Sequence, residues 1–108
     1  MPSRIQLSRK AGWRKPPGAV VVARPTRWGN PFIIGTHGER DACVEMFARM
    51  IRGDFSTGPG LPDLETQRAY VARLESEGNT LRGRSLCCWC RPGFPCHADA
   101  LLAFLNPP

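Results

Sequence analysis

The chain lacks any apolar run of the roughly 20 residues that a membrane-spanning helix needs. Residues 1–15 also lack the apolar centre of a secretion signal. We therefore expect a cytoplasmic protein with no membrane partner. The five cysteines agree with this, because an odd number of thiols in a reducing compartment favours free thiols, metal ligands or a catalytic thiol over a disulfide framework.

Lysine is scarce in this basic sequence. Of the 15 basic residues only Lys10 and Lys15 are lysines, and nine acidic residues leave a net charge of +6. Arginine binds phosphate and carboxylate with a planar fork, so the bias favours an anionic ligand or nucleic acid. A solvated basic surface without a specific partner would give the same composition, and charge alone therefore names no partner.

The chain also lacks internal repeats and low-complexity segments, and its 108 residues have the size of one domain. Its apolar fraction of 42% and charged fraction of 22% are those of a globular protein. Short alternating or β-branched segments predict strands at residues 4–7, 19–23, 32–34 and 84–89.

Apolar residues at helical spacing predict three helices, at residues 40–52, 64–77 and 98–105. The pattern indicates an α/β fold: a single small domain of three to four short strands with two to three helices. We expect residues 1–18 to form a partly ordered basic N-terminal segment and residues 19–106 to form the domain.

The segment SLCCWCRPGFPCHAD carries the strongest chemical signal. Cys88 and Cys90 lie two apart on a predicted strand, so both side chains face the same side. Cys96 and His97 follow a turn rich in Pro and Gly, at the start of the last helix. Three thiols and an imidazole make a Cys3His set that suits tetrahedral zinc, although the spacing is not the C-x2-C of a zinc knuckle. Zinc is therefore a candidate cofactor.

The same residues allow two other interpretations. A helix N-terminus and a neighbouring imidazole would lower the pKa of Cys96 or Cys88, so that Cys88, Cys96 and His97 become candidate catalytic residues, as nucleophile or acid/base. Alternatively, the cysteines are small buried hydrophobic residues and His97 caps the helix. Asp99 either stabilises the helix dipole or orients His97. The sequence leaves these alternatives open.

The second chemical signal is the loop RPTRWGNPF at residues 24–32, hereafter the RWGNPF loop, which follows a predicted buried strand. Two prolines and a glycine prevent regular structure there. Open α/β sheets place phosphate or small-ligand sites at such loops. The candidate ligand-binding residues are the anion clamps Arg24 and Arg27, the stacking surface Trp28, Gly29 and the hydrogen-bonding Asn30. A packed turn with Trp28 in the core is the alternative.

Together, GWRKPPGAVVVARPTRWGNPF and LRGRSLCCWCRPGFPCHADALL resemble the domain of unknown function 4326, a family of small bacterial and phage proteins. The resemblance covers residues 12–102. Cys43 and Cys87 lie outside the pattern, which makes them poor site candidates. The resemblance implies a cytosolic protein of bacterial or phage origin in which the two motifs form the functional sites. It implies no particular activity. The matching positions are Arg24, Trp28, Gly29, Asn30, Pro31, Phe32, Leu81, Gly83, Cys88, Trp89, Cys90, Pro92, Cys96 and His97.

If the strands at residues 19–23 and 84–89 are parallel neighbours, both motifs end at the same edge of the sheet. We then expect a nucleotide, nucleoside or other anionic ligand to bind between the RWGNPF loop and the Cys/His cluster. An enzyme acting on nucleotides or nucleic-acid bases is one form of this function. The alternative is a non-enzymatic, zinc-stapled adaptor that binds nucleic acid or a host protein.

Overall fold

The computed structural model describes residues 2–107 and consists of three short strands and three helices. The elements are β1 (Arg4–Gln6), β2 (Val20–Val21), α1 (Arg40–Met50), α2 (Leu64–Glu77), β3 (Leu86–Cys88) and α3 (His97–Leu105), with a 3-10 turn at Gly78–Thr80. This arrangement confirms the predicted small, single-domain α/β fold. Within the described residues, no helix has the length and apolar character needed to cross a bilayer.

The three strands form one parallel sheet in the order β1-β3-β2. Leu86 of β3 pairs with Arg4 on one side and with Val20 on the other. Parallel neighbours need a long crossover, and α1 and α2 lie in the connection between β2 and β3. The carboxyl ends of β2 and β3 therefore lie at the same edge of the sheet.

Part of the basic N-terminal segment at residues 1–18 belongs to the sheet. β1 is the edge strand formed by residues 4–6, and the backbone N–H of Leu7 donates to the Cys88 carbonyl at 2.7 Å. Residues 8–18 contain neither helix nor strand. Met1, also part of this segment, lies outside the described residues.

Edge-to-face aromatic contacts connect the helices to the RWGNPF loop. The Phe47 ring lies 5.3 Å from Tyr70 and 5.1 Å from His97, both at nearly perpendicular planes. Tyr70 in turn contacts Trp28 edge-to-face at 6.0 Å. Such contacts are favoured by the charge distribution of aromatic rings. They connect α1, α2, the loop and the first residue of α3 in one core.

The predicted strand at residues 32–34 is wrong. The Asn30 side-chain oxygen accepts the Phe32 N–H at 2.9 Å, and His37 Nδ1 accepts the Ile33 N–H at 2.8 Å. These side chains take the backbone donors that a partner strand would otherwise use. Only an isolated bridge between Ile34 and Gly38 remains.

Helix α2 has the predicted bounds because its first turn is capped as its sequence suggests. The Asp63 carboxylate accepts the Thr66 backbone N–H at 2.7 Å. Helix α1 ends at Met50, before the predicted residue 52, and its chain turns at Gly53 with a positive φ of 89°. Helix α3 begins one residue earlier than predicted, at His97, with Cys96 in the N-cap position.

Candidate functional site

A cavity of about 220 Å³ opens at the carboxyl edge of β2 and β3. The RWGNPF loop contributes Arg24 and Asn30 to its lining, and α1 contributes Arg40. The end of β3 and the start of α3 contribute the Cys/His cluster, which consists of Cys88, Cys90, Cys96 and His97. The structure thus brings the two sequence motifs, which are far apart along the chain, into one cavity.

The cavity lining is basic. Among the described residues that line it are two arginines and no aspartate or glutamate. Arg24 Nη1 donates to the Asn30 carbonyl at 3.3 Å, which holds the guanidinium against its own loop. Arg40 Nη1 donates to Cys90 Sγ at 3.3 Å. A concave site lined by positive charges attracts anions.

Three thiols converge on one side of the cavity. The Sγ atoms of Cys88, Cys90 and Cys96 all lie within 4.8 Å of one another. Cys88 is the last residue of β3, Cys90 follows two residues later in a bend outside the strand, and the turn at residues 91–95 returns the chain to Cys96. These three cysteines, hereafter the thiol cluster, can hold a metal ion.

The thiols of the cluster differ in acidity. The Cys96 S–H donates to Cys88 Sγ at 3.3 Å and thereby lowers the pKa of Cys88. The same bond, together with burial, raises the pKa of Cys96 to about 11, so lowering of the Cys96 pKa is not found. Burial also raises the pKa of Cys90. Cys88 is therefore the thiol of the cluster that ionises most readily.

His97 contacts backbone carbonyls with one ring nitrogen and the thiol cluster with the other. Its Nε2 lies 2.9 Å from the Val22 carbonyl oxygen and 3.2 Å from that of Trp28. Since carbonyls only accept, Nε2 carries the proton and donates it. Nδ1 lies 3.8 Å from Cys96 Sγ, but His97 is not part of the mutually close thiol set.

The structure does not bring three of the predicted loop residues into the cavity lining. Arg27 forms an ion pair with Glu77 of α2. Trp28 is a core residue with an exposed fraction of 5%. At Gly29 an added Cβ would lie 2.6 Å from Arg24 Cγ, so this glycine allows close packing of Arg24.

Comparison with known protein families finds one family model that matches the chain. The family model described as a domain of unknown function, DUF4326, matches residues 5–107, nearly the whole chain. The chain belongs to the DUF4326 family. No match was found among curated proteins or among solved structures. The function of this DUF4326 domain is therefore inferred from the geometry of its site.

Sequence reasoning missed Arg4, which braces the thiol cluster of this DUF4326 domain from β1. Its guanidinium donates to the carbonyls of Phe94 at 2.8 Å and Arg91 at 2.9 Å, and it pairs with Asp99 at 3.2 Å. Burial lowers the pKa of Arg4, but its hydrogen bond with Cys96 and the charge of Asp99 outweigh this and raise it. Arg4 thus fixes the turn that returns Cys96 to the cluster.

Arg40 was also missed as a site residue, since its position predicted only the start of α1. Its Nη1 contacts Cys90, and its guanidinium carbon lies 5.9 Å from the Phe94 ring centroid. Residues 4–7 alternate between polar and apolar, so Arg4 had the pattern of an ordinary polar strand position and gave no signal of its own. The contacts of Arg4 and of Arg40 with the Cys/His cluster depend on how the strands and helices pack together, which the sequence does not show.

Proposed function

We propose that this DUF4326 domain binds a nucleotide, with the phosphate inside the cavity between Arg24 and Arg40. The observation that carries the proposal is a cavity lining with these two arginines and no carboxylate among the described residues. Arginine forms charge-assisted, often paired hydrogen bonds with phosphate. The volume of about 220 Å³ is below the roughly 300 Å³ of ordinary small-molecule pockets, which suits one end of a nucleotide.

The rest of the nucleotide extends over the mouth of the cavity. Trp89 lines the cavity and has an exposed fraction of 44%. The guanidinium carbon of Arg9 lies 4.4 Å from its ring centroid. An aromatic ring and a guanidinium plane are both surfaces on which a base stacks. Trp89 and Arg9 therefore supply a stacking surface for the base of a nucleotide whose phosphate lies deeper.

Zinc in the thiol cluster is part of this proposal. Thiolate sulfur is a preferred zinc ligand, and three sulfurs lie within 4.8 Å of one another. Arg40 lies against Cys90 and so offsets part of the thiolate charge. When bound, zinc would stabilise the fold and act as a Lewis acid in the cavity. Five cysteines without a disulfide, three of them as zinc ligands, suit a reducing, cytoplasmic compartment.

Catalysis by Cys88 is the competing role for the cluster. Its lowered pKa favours the thiolate form that a nucleophile needs. A thiolate that ligates zinc shares its charge with the metal, so zinc binding and attack by a free Cys88 thiolate compete for the same sulfur. The metal content of the purified protein distinguishes them.

A calorimetric titration with adenosine monophosphate and with adenosine tests nucleotide binding. We expect the monophosphate to bind at least about tenfold more tightly, since charge-assisted hydrogen bonds contribute roughly 1.5–3 kcal/mol each. Equal affinities, or no binding of the monophosphate, would refute the proposal. The protein should carry its zinc in both titrations, so that the phosphate is the only difference.

A nucleic-acid-binding adaptor stapled by zinc is the second candidate function. Two exposed aromatic residues lie beside arginines, Trp89 with Arg9 and Phe94 with Arg40. Two such pairs could stack successive bases of a single strand while the arginines contact phosphates. Phe104 of α3 is exposed to a similar degree but does not line the cavity, which makes Phe104→Ala a matched control.

The adaptor has its own test. Binding of a labelled oligothymidylate should fall steeply with salt, because released counterions drive phosphate contacts. Trp89→Ala should weaken this binding and Phe104→Ala should not. If the oligonucleotide binds no more tightly than a single nucleotide, the adaptor function is ruled out.

A further inference from the structure

We infer that a metal ion held by Cys88, Cys90 and Cys96 keeps its fourth coordination position open to the cavity. An anion that enters between Arg24 and Arg40 then binds the metal directly. The inference rests on the zinc of the proposed function and adds to it the coordination state and the class of ligand, a small anion or an anionic oxygen. It also separates a structural from a reactive metal centre.

The count of donors is the first argument. Tetrahedral zinc takes four ligands, and the thiol cluster supplies three. In the described part of the chain, no carboxylate lines the cavity to complete the set. Asp99, the acidic residue nearest in sequence to the cluster, is engaged by Arg4 at 3.2 Å.

The fixed position of His97 is the second argument. Its Nε2–H is shared between the carbonyls of Val22 and Trp28, and its ring packs edge-on against Phe47 at 5.1 Å. Its Nδ1 lies 3.8 Å from Cys96 Sγ but is not within 4.8 Å of all three thiol sulfurs. His97 therefore supports the cluster from the side and leaves the fourth position to another ligand.

The direction of the open position is the third argument. All three cysteines line the cavity, and the Cys90 side chain is the one that is half-buried rather than buried. Arg40 Nη1 lies 3.3 Å from Cys90 Sγ, so a cation flanks the position that an anion would take. Zinc with three protein ligands and one exchangeable position is the arrangement of catalytic centres, whereas structural zinc is fully enclosed by protein ligands.

Cobalt(II) in place of zinc gives a direct test with the full chain. Its visible absorption bands report the number and type of ligands, and a four-ligand protein site does not respond to added anions. We expect azide to change these bands in a saturable way. Perchlorate, a weakly coordinating anion, should leave them unchanged at the same ionic strength.

Two arginine variants sharpen the test. Arg40→Ala should weaken azide binding about tenfold, the effect of losing one charge-assisted contact, without changing the cobalt stoichiometry. Arg27→Ala, whose side chain pairs with Glu77 outside the cavity lining, should leave azide binding unchanged. Azide bound only to arginine would not alter the metal bands.

The possible results distinguish a failure of the open coordination position from a failure of the metal site itself. One cobalt per chain with bands indifferent to azide would overturn the open position while leaving the metal site intact. A His97→Gln variant with altered bands in the absence of azide would also overturn it, because His97 would then be a ligand. If that variant does not fold, the wild-type azide titration decides. Absence of any bound cobalt or zinc would overturn both the inference and the metal part of the proposed function.

Discussion

His97 Nε2 lies 2.9 Å from the carbonyl oxygen of Val22, so the first residue of α3 is bonded to the chain just after β2. Trp28 supplies a second carbonyl to the same nitrogen, and that carbonyl also accepts the Tyr70 hydroxyl at 2.7 Å. Burial raises the pKa of Tyr70, which keeps this hydroxyl a donor. One buried polar junction thus holds the RWGNPF loop, α2 and the Cys/His cluster in a fixed relation.

The two arginines of the RWGNPF loop should differ in their effect on anion binding. Arg24→Ala should weaken binding of adenosine monophosphate about tenfold, since it removes one charge-assisted phosphate contact from the cavity. Arg27→Ala should not, because it removes an exposed ion pair with Glu77 and a contact with the Trp28 ring, both outside the cavity lining, and exposed ion pairs contribute little. Calorimetric titration of both variants measures this. Equal loss in the two variants would mean that the cavity is not the site.

Adjacent cysteines of β3 should differ in their effect on zinc. Cys88→Ser should reduce the zinc content and remove the stabilisation that zinc gives, because Cys88 belongs to the thiol cluster. Cys87→Ser is the control, since Cys87 is equally buried but lies on the opposite face of the strand. Elemental analysis and thermal melting before and after chelation measure both effects. Zinc contents that fall alike in both variants, or in neither, would contradict the assignment.

Gly29 should prove necessary for the position of Arg24. Gly29→Ala should lower the free energy of unfolding by about 1–3 kcal/mol, the usual cost of overpacking, because the new Cβ would lie 2.6 Å from Arg24 Cγ. Part of this cost should vanish in the Arg24→Ala background, where that atom is missing. Urea unfolding of the two single variants and the double variant measures the coupling. The same cost in both backgrounds would show that the contact is unimportant.

Stability in acid should report the cap of α2. The hydrogen bond from the Thr66 backbone N–H lowers the pKa of Asp63 below its ordinary 3.8. The ionised cap therefore stabilises the fold above that ordinary value, and its contribution is lost as the pH falls through the lowered pKa. An asparagine at this position would also cap but would not titrate, so the stability advantage of wild type over Asp63→Asn should shrink from about pH 5 to about pH 2. A difference that does not change with pH would contradict this.

The sequence was informative where local rules decide the structure. Asp63 before an amphipathic stretch predicted the start of α2. The convergence of Cys88, Cys90 and Cys96 was also predicted, although β3 ends at Cys88, so strand alternation does not explain the position of Cys90. The predicted strand at residues 32–34 failed because Asn30 and His37 side chains take its backbone donors. β-branched residues indicate that a strand is favourable, but they do not reveal such competing acceptors.

Contacts that depend on strand register could not be predicted. Arg4 and Phe94 are 90 residues apart along the chain and meet only because β1 pairs with β3. The burial of Trp28 follows from its edge-to-face packing on Tyr70 of α2, a tertiary contact that loop composition does not reveal. For the same reason the sequence could not distinguish Arg24, which lines the cavity, from Arg27, which faces Glu77.

A native mass spectrum of the untagged protein mixed with adenosine monophosphate is the decisive experiment for the proposed function, because it reports metal and ligand on the same chain. We expect one zinc per chain and one bound adenosine monophosphate on the zinc-containing form, with at least about tenfold weaker binding when adenosine replaces it. A bare chain that acquires neither zinc nor nucleotide would contradict the proposed function.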